Sequence, residues 1–409
     1  MKFKKFFIGS FVTAGTFLVI NTGHNANAAI FTPNVQSKAA ILVNTKTGQV
    51  IASKNDTQRY PIASVSKLIV VYMVEQQIQE GKLKRTDTVQ VPRRILHFSQ
   101  NTSIANIPMQ PKAKYTVEDL EKAALLPSSN AAAMALAHKV SGSQSQYYED
   151  AEKLLDSWGI KNVSIYSSSG LRNGDMGEIK SKHVNDNAEN ELSARELALI
   201  ATKLVNKYPH VLDITKHPVE HFPNGHGGQQ DLVSTDKLLG TSRYHFKGLK
   251  TGTSSHNGVN FVGYSTLKQQ PVVSVVLNAA PGVNFKDTES MMEQADAKTT
   301  TIKHNVKSVK VDNADTDGGE IAIKPQTPTA MFASKRLKAN DLKSKFNEAD
   351  DLSAPLKKNE FVGNQTLNFK DHRYNDFIEK QPKIKYVSKA NVEKTWMIVS
   401  MYRKFIGLF

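Results

Sequence analysis

The sequence predicts an α/β architecture: a sheet flanked by helices, then a small β-rich domain, then a C-terminal amphipathic helix. Three observations predict it. Strand-like runs lie at both ends of residues 29–300 and helix-like runs lie between them. That order suits a sheet whose first and last strands are neighbours, with helices covering it. The composition changes near residue 301, where short apolar segments alternate with Gly, Asp and Pro. From Asn391 the apolar residues return at helical spacing.

The length of 409 residues suits two or three domains. An apolar fraction of 39% with 22% charged residues excludes disorder throughout. There is no cysteine, which removes a disulfide framework, an iron–sulfur cluster, a Cys zinc site and a Cys nucleophile. Lys and Arg number 53 against 38 Asp and Glu, a formal charge of +15. The basic residues are scattered and no RNA- or DNA-binding motif is present, so nucleic acid is not an expected partner.

Residues 1–28 read as a secretory signal peptide. Lys2, Lys4 and Lys5 precede an apolar run from Phe6 to Ile20, and Ala26-Asn27-Ala28 places cleavage after Ala28. The alternative is a retained anchor, but so short a run followed by Asn21, His24 and Asn25 spans a bilayer poorly. The mature chain is therefore expected outside the cytoplasm. There a basic surface meets anionic lipid or wall polymers, or is simply solvated.

Within 29–300, Ala39 to Val43 and Gln49 to Ser53 flank Asn44 to Gly48 and predict a hairpin. Pro61 precedes a helix that carries Leu68 to Val74 and ends near Gly81. Thr116 and Asp119 form a capping box before a helix through Leu125. Ala131 to Val140 reads as a buried Ala-rich helix, Tyr147 to Trp158 as another, and Ser193 with Glu196 caps a third. Phe246 to Thr253, Val259 to Thr266 and Val272 to Leu277 predict consecutive strands, closed by a helix from Phe285 to Ala297. Residues 301–388 read as the small β domain, with Ile302, Val309, Ile321, Ile323, Leu367 and Phe369 in its strands. In the tail, 389–409, Val392, Trp396, Val399, Tyr402, Ile406 and Phe409 share one helical side. With Arg403 and Lys404 it is too short and charged to span a bilayer. It would lie in the interface or dock on the protein.

The chemistry concentrates in three short motifs. Ser64-Val65-Ser66-Lys67 places a hydroxyl and an amine one helical turn apart. A desolvated amine loses proton affinity and can take the serine proton, so Ser64 becomes a nucleophile and Lys67 its base. Singly, such motifs are common. Ser265 to Lys268 repeats the first spacing, Ser99-Gln100-Asn101 repeats Ser128-Ser129-Asn130, and Lys46-Thr47-Gly48 repeats Lys250-Thr251-Gly252. Context separates them. Lys46 precedes the serine in a hairpin turn, and Ser99 reads as a polar-loop residue, whereas Asn130 opens a buried helix.

The ordered triple Ser64, Ser128 and Lys250 is that of the penicillin-recognising serine enzymes. Pro61-Ile62-Ala63-Ser64, Ser128 to Ala132, Leu249 to Thr253 and Asn257 to Gly263 together resemble the D-alanyl-D-alanine carboxypeptidases, the low-molecular-weight penicillin-binding proteins. The resemblance spans about residues 30–300 and implies a β-lactamase/transpeptidase-like domain. It implies attack by Ser64 on the bond between the two terminal D-alanines of a peptidoglycan stem peptide, with Lys67 as base and Ser128 as proton relay. Asn130, Lys250, Thr251, Gly252 and Thr253 would bind substrate, and the backbone N–H groups of Ser64 and Thr253 would hold the oxyanion. β-Lactams would be inhibitors, and the tail would attach to the outer face of the cytoplasmic membrane. No metal or cofactor is implied.

His217, His221 and His226 with Asp213 lack metal-ligand spacing and read as surface histidines. A class A β-lactamase would need a Glu for its deacylating water, and Val163 to Gly170 offer no acid. A transpeptidase or endopeptidase of the same fold remains open, because water and an amine attack the same ester. A non-catalytic wall-binding protein would not need Ser64, Lys67, Ser128 and Lys250 intact.

Overall fold

The computed structural model describes residues 29–254, 257–327, 329–381 and 383–396. The segment 1–28, expected to be a signal peptide, and tail residues 397–409 lie outside the described residues.

The central sheet has strands β1 (Ala39–Asn44), β2 (Val50–Lys54), β3 (Leu249–Ser254), β4 (Gly258–Leu267) and β5 (Gln270–Ala279), in the order β2-β1-β5-β4-β3. All neighbours are antiparallel, and Ile41 of β1 lies opposite Val275 of β5. Strands from the two ends of the domain are thus neighbours, as the sequence predicts.

Among the described residues there are eight α-helices: α1 (Lys67–Gln79), α2 (Arg93–Ser99), α3 (Val117–Leu125), α4 (Asn130–Ser141), α5 (Gln144–Ser157), α6 (Ala194–Lys207), α7 (Val211–Thr215) and α8 (Val283–Lys298). Thr116 and Asp119 close the predicted box on α3, and Ser193 and Glu196 close it on α6. Strand side chains alternate between two faces. Ala39, Ile41, Val43, Val262 and Val275 face the core built on α1, α3, α4 and α6. Ala40, Leu42, Phe261 and Val276 pack with Met291, Met292 and Ala295 of α8. Because both faces are covered, β1 reads as a continuous apolar run.

Two expectations inside this domain are corrected. The strand expected from Phe246 begins at Leu249. Thr215 Oγ1 donates to Lys247 O at 2.6 Å, so a side chain takes that carbonyl out of a regular ladder. Ser99 is no loop residue: it closes α2, and its buried hydroxyl donates to Leu96 O at 2.6 Å and accepts from Met109 N at 2.9 Å.

The second unit has β6 (Thr299–Ile302), β7 (Ser308–Lys310), β8 (Glu320–Pro325), β9 (Met331–Ser334), β10 (Leu342–Glu348), β11 (Phe361–Phe369) and β12 (Ile384–Ser388). Five of them form a sheet in the order β7-β8-β12-β11-β10, and β6 pairs with β9. The unit is pinned to the first. Gln49 exchanges two 2.8 Å hydrogen bonds with the backbone of Phe332, whose side chain enters the α8-side core. Arg195 bridges Asp56 and Asp376, each at 2.7 Å.

The tail helix does not begin at Asn391. Val392 exchanges backbone hydrogen bonds with Leu356 at 2.8 and 2.9 Å, and Thr395 N donates to Asn313 O at 2.8 Å. Val392 is buried in the second unit's core, so the β domain reaches Thr395 rather than ending at residue 388. Among the described residues no helix is long and apolar enough to cross a membrane.

Candidate active site

Ala63–Ser66 form one 3₁₀ turn that runs directly into α1. This aims Ser64 and Lys67 at each other. Lys67 is fully buried, and its Nζ lies 2.7 Å from Ser64 Oγ, 2.8 Å from Asn130 Oδ1 and 2.7 Å from Ser169 O. Two of these contacts are N–H donations to carbonyl oxygens, and the third is with the Ser64 hydroxyl. Burial, and then the charge of Lys250, hold Lys67 well below the usual lysine range.

The second motif sits on a braced loop. Ser129 caps α4, accepting from Ala132 N at 3.3 Å. Ala105 O and Asn106 Oδ1 accept from Asn130 N and Ala131 N at 2.8 and 2.9 Å. Ala63 (φ 48°) and Ser128 (φ 67°) adopt left-handed backbone, which is uncommon outside glycine and recurs at functional sites. Ser128 Oγ is buried with no hydrogen-bond partner among the described residues.

The third motif lies on β3, the strand at the sheet edge. Lys250 is buried; burial pushes it down to about 7, and Asp236 opposes that shift. Thr251 Oγ1 is 2.6 Å from Thr235 Oγ1. A Cβ on Gly252 would stand 2.6 Å from Ile62 O, so glycine lets β3 lie against the Ala63–Ser66 turn. Gly170 (φ 83°) does the same for the Ser167–Gly170 loop, where a Cβ would overlap Ala63 O. Asn260 Nδ2 donates to Pro61 O at 3.0 Å, tying β4 to the same turn.

These pieces enclose a cleft of about 380 Å³ lined by Ser64, Ser128, Asn130, Thr251 and Thr253. Lys67, Lys250 and Gly252 stand behind that lining rather than in it. Residues without a sequence signal complete the site. Asn190 Nδ2 donates to Ser66 Oγ at 2.9 Å and to Ser167 O at 2.7 Å, joining the turn to the loop. Thr235, Arg172, Asp175 and Glu189 also line the cleft. Asp175 pairs with Arg172 at 2.9 Å, and Glu189 accepts from Ser254 Oγ at 3.4 Å. A larger hollow of about 1090 Å³ beside α2 contains none of the motif residues. Among the described residues no cluster of His, Asp and Glu could hold a metal ion. His221 sits on an exposed hairpin with its Nδ1 3.1 Å from Asp231.

An amine poised on a hydroxyl inside this frame of sheet and helices marks the penicillin-recognising serine enzymes. Within that class, the chain belongs to the D-alanyl-D-alanine carboxypeptidase family, peptidase S11, whose profile matches residues 25–281. It is 26% identical to D-alanyl-D-alanine carboxypeptidase DacC of Escherichia coli (strain K12), over 87% of this chain and 86% of that one. Its structure is similar to that of a peptidoglycan synthesis regulatory factor (PBP3) from Streptococcus pneumoniae. The TM-score is 0.77 with 30% identity, covering 88% of this chain and 99% of the other. Penicillin-binding protein D2 from Listeria monocytogenes, in its ampicillin-bound form, aligns with a TM-score of 0.54 and 26% identity, covering 64% of this chain and 98% of that one.

Proposed function

We propose that the protein removes the terminal D-alanine from peptidoglycan stem peptides through an ester on Ser64, and that β-lactams inhibit it by forming the same ester. The observation that carries this reading is the 2.7 Å approach of the buried Lys67 Nζ to Ser64 Oγ. Acyl transfer at neutral pH needs an activated nucleophile, a proton relay and preorganised donors. Ser64 Oγ attacks the carbonyl carbon while its proton passes to Lys67. The backbone N–H groups of Ser64 and Thr253 stabilise the oxyanion. Ser128 delivers a proton to the departing D-alanine amine. Asn130 holds the substrate amide, while Lys250, Thr251 and Thr253 receive the terminal carboxylate beside Gly252. Water then cleaves the ester and the serine proton returns.

The test has two parts. Mass analysis after penicillin treatment places the adduct on the peptide containing Ser64, and an adduct that survives Ser64→Ala overturns the assignment. Muropeptides incubated with the protein lose one alanine, whereas new cross-links would make it a transpeptidase.

Residues 1–28 then serve as an export signal, and the residues from Trp396 onward attach the mature protein to the outer face of the cytoplasmic membrane. The small-x-small end of the first segment supports the export reading. Trp396, 80% exposed at the end of the described chain, and the pair Arg403-Lys404 support the attachment.

A further inference from the structure

Beside α2 the fold leaves a hollow of about 1090 Å³, nearly three times the 380 Å³ of the cleft. Its titratable lining is all of one kind: Arg93 and His97 of α2, with His138 and Lys139 from the last turn of α4. No Asp or Glu lines it. None of these four side chains has an ion pair or a hydrogen bond among the described residues. Val91, Leu96, Met109 and Pro111 add apolar surface. The hollow backs onto the cleft. Ser103, Ile104 and Ala105 line the cleft, while Gln100, Met109 and Gln110 of the same loop line the hollow. The loop is fixed there: Gln100 Nε2 donates to Met109 O and Gln110 N to the Tyr115 hydroxyl, each at 2.8 Å. Helix α4 is shared in the same way. Asn130 at its start lies in the cleft, and His138 stands about 12 Å further along the helix. A carboxylate seated in the hollow is therefore not the one that Lys250, Thr251 and Thr253 receive.

We propose that the hollow binds the free carboxylate end of a second stem peptide while the first occupies the cleft. This rests on the reading of the substrate as a peptidoglycan stem peptide. Charge complementarity carries it. A guanidinium and an ammonium, joined by two imidazoles and opposed by no acid, select an anion. The apolar surface beside them selects an anion with an apolar body, which a chain ending in alanines has and a bare inorganic ion lacks. Gln90 and Gln110 bring amide groups to the same lining, suited to a peptide backbone. Helix stability does not account for Arg93. A cation in a first turn is disfavoured by the helix dipole, and α2 has no acid there to offset it. The site binds and does no chemistry, so its consequence is a preference for polymer that carries several stems over a single peptide.

The experiment uses the full chain acylated on Ser64 by penicillin and freed of excess, so that the cleft is filled. Diacetyl-Lys-D-Ala-D-Ala is titrated in and followed by NMR. Saturable binding is expected, and it should be about tenfold weaker for the same peptide ending in a carboxamide, because the charge-assisted contacts are lost. Arg93→Glu combined with Lys139→Glu should weaken the free-acid peptide by at least as much. The same variant should be acylated by penicillin at the wild-type rate, since neither residue lines the cleft. The carboxamide arm uses the wild-type chain and does not depend on the variant folding. Absence of binding to the acylated chain, equal binding of acid and carboxamide, or unchanged binding in the double variant overturns the proposal. So does saturable binding of inorganic phosphate without binding of the peptide. Each of these outcomes leaves the carboxypeptidase reading standing. A wild-type chain that penicillin does not acylate, and that releases no D-alanine from the peptide, overturns both.

Discussion

Asn130 Oδ1 lies 2.8 Å from Lys67 Nζ, so the first residue of α4 ends on the first residue of α1. This contact joins two motifs that sequence separates widely. It also fixes which way the amine points, because one N–H is committed to Asn130 and another to Ser169 O.

Asn130→Ala therefore frees the amine to rotate away from Ser64. Acylation by penicillin should slow by about a hundredfold or more, the loss typical of one preorganised polar group. Asn130→Asp tests the electrostatics. A carboxylate there favours the charged form of Lys67, so the acidic limb of the acylation profile should move to higher pH. A stopped-flow pH series on both variants checks this, and an unmoved limb in the Asp variant would separate Lys67 from the base role.

Gly252→Ala inserts a methyl group that would stand 2.6 Å from Ile62 O. The clash is with backbone, so β3 has to move away from the Ala63–Ser66 turn. Stability should fall by about 1–3 kcal/mol, as for other overpacked sites, and acylation should fall with it. Urea unfolding and adduct formation measure the two losses.

How legible was this site in the sequence? Ser64 and Lys67 were legible because their geometry is local: one turn of helix sets it. Ser128, Asn130 and Lys250 were legible only through order, since each motif recurs elsewhere by chance. The partners that finish the site were not. Ser169 contributes a carbonyl, which carries no side-chain signal. Asn190 acts through contacts that only the folded loops create. The tail shows the opposite failure. Val392 and Trp396 fit a helical spacing, yet pairing with Leu356 draws Val392 into the β domain. Ser99 was misplaced because α2 has only seven residues and no side-chain cap to announce it.

The buried carboxyl of Glu121 predicts a pH effect on stability. Both carboxylate oxygens of Glu121 are buried and lack a hydrogen-bond partner among the described residues. Burial, and then Glu75, push its carboxyl well above the usual range. The folded chain thus holds a proton that the unfolded chain releases near pH 4. Stability contributed by this group is present at low pH and falls as pH rises above that point. Glu121→Gln removes the dependence. Its urea midpoint relative to wild type should rise between pH 5 and pH 8, and parallel curves would count against a protonated Glu121.

A chain ending at Thr395 keeps the Thr395–Asn313 backbone bond and the buried Val392, so its β domain should fold. It should leave the membrane fraction while penicillin binding is retained. Continued pelleting of the mature truncated protein would place the anchor elsewhere.

The sheet is closed by its most distant parts: β1 pairs with β5, and the strand bearing Lys250 reaches β1 only through β4 and β5. Such pairings form slowly, because the intervening chain must first be brought together. A polypeptide made from its N-terminus presents Ser64 and Lys67 long before Lys250, Thr251 and Thr253 have been synthesised. Reactivity is then the last property the chain acquires during its own manufacture. A nascent or prematurely terminated product carries Ser64 and Lys67 without the edge strand that completes the cleft.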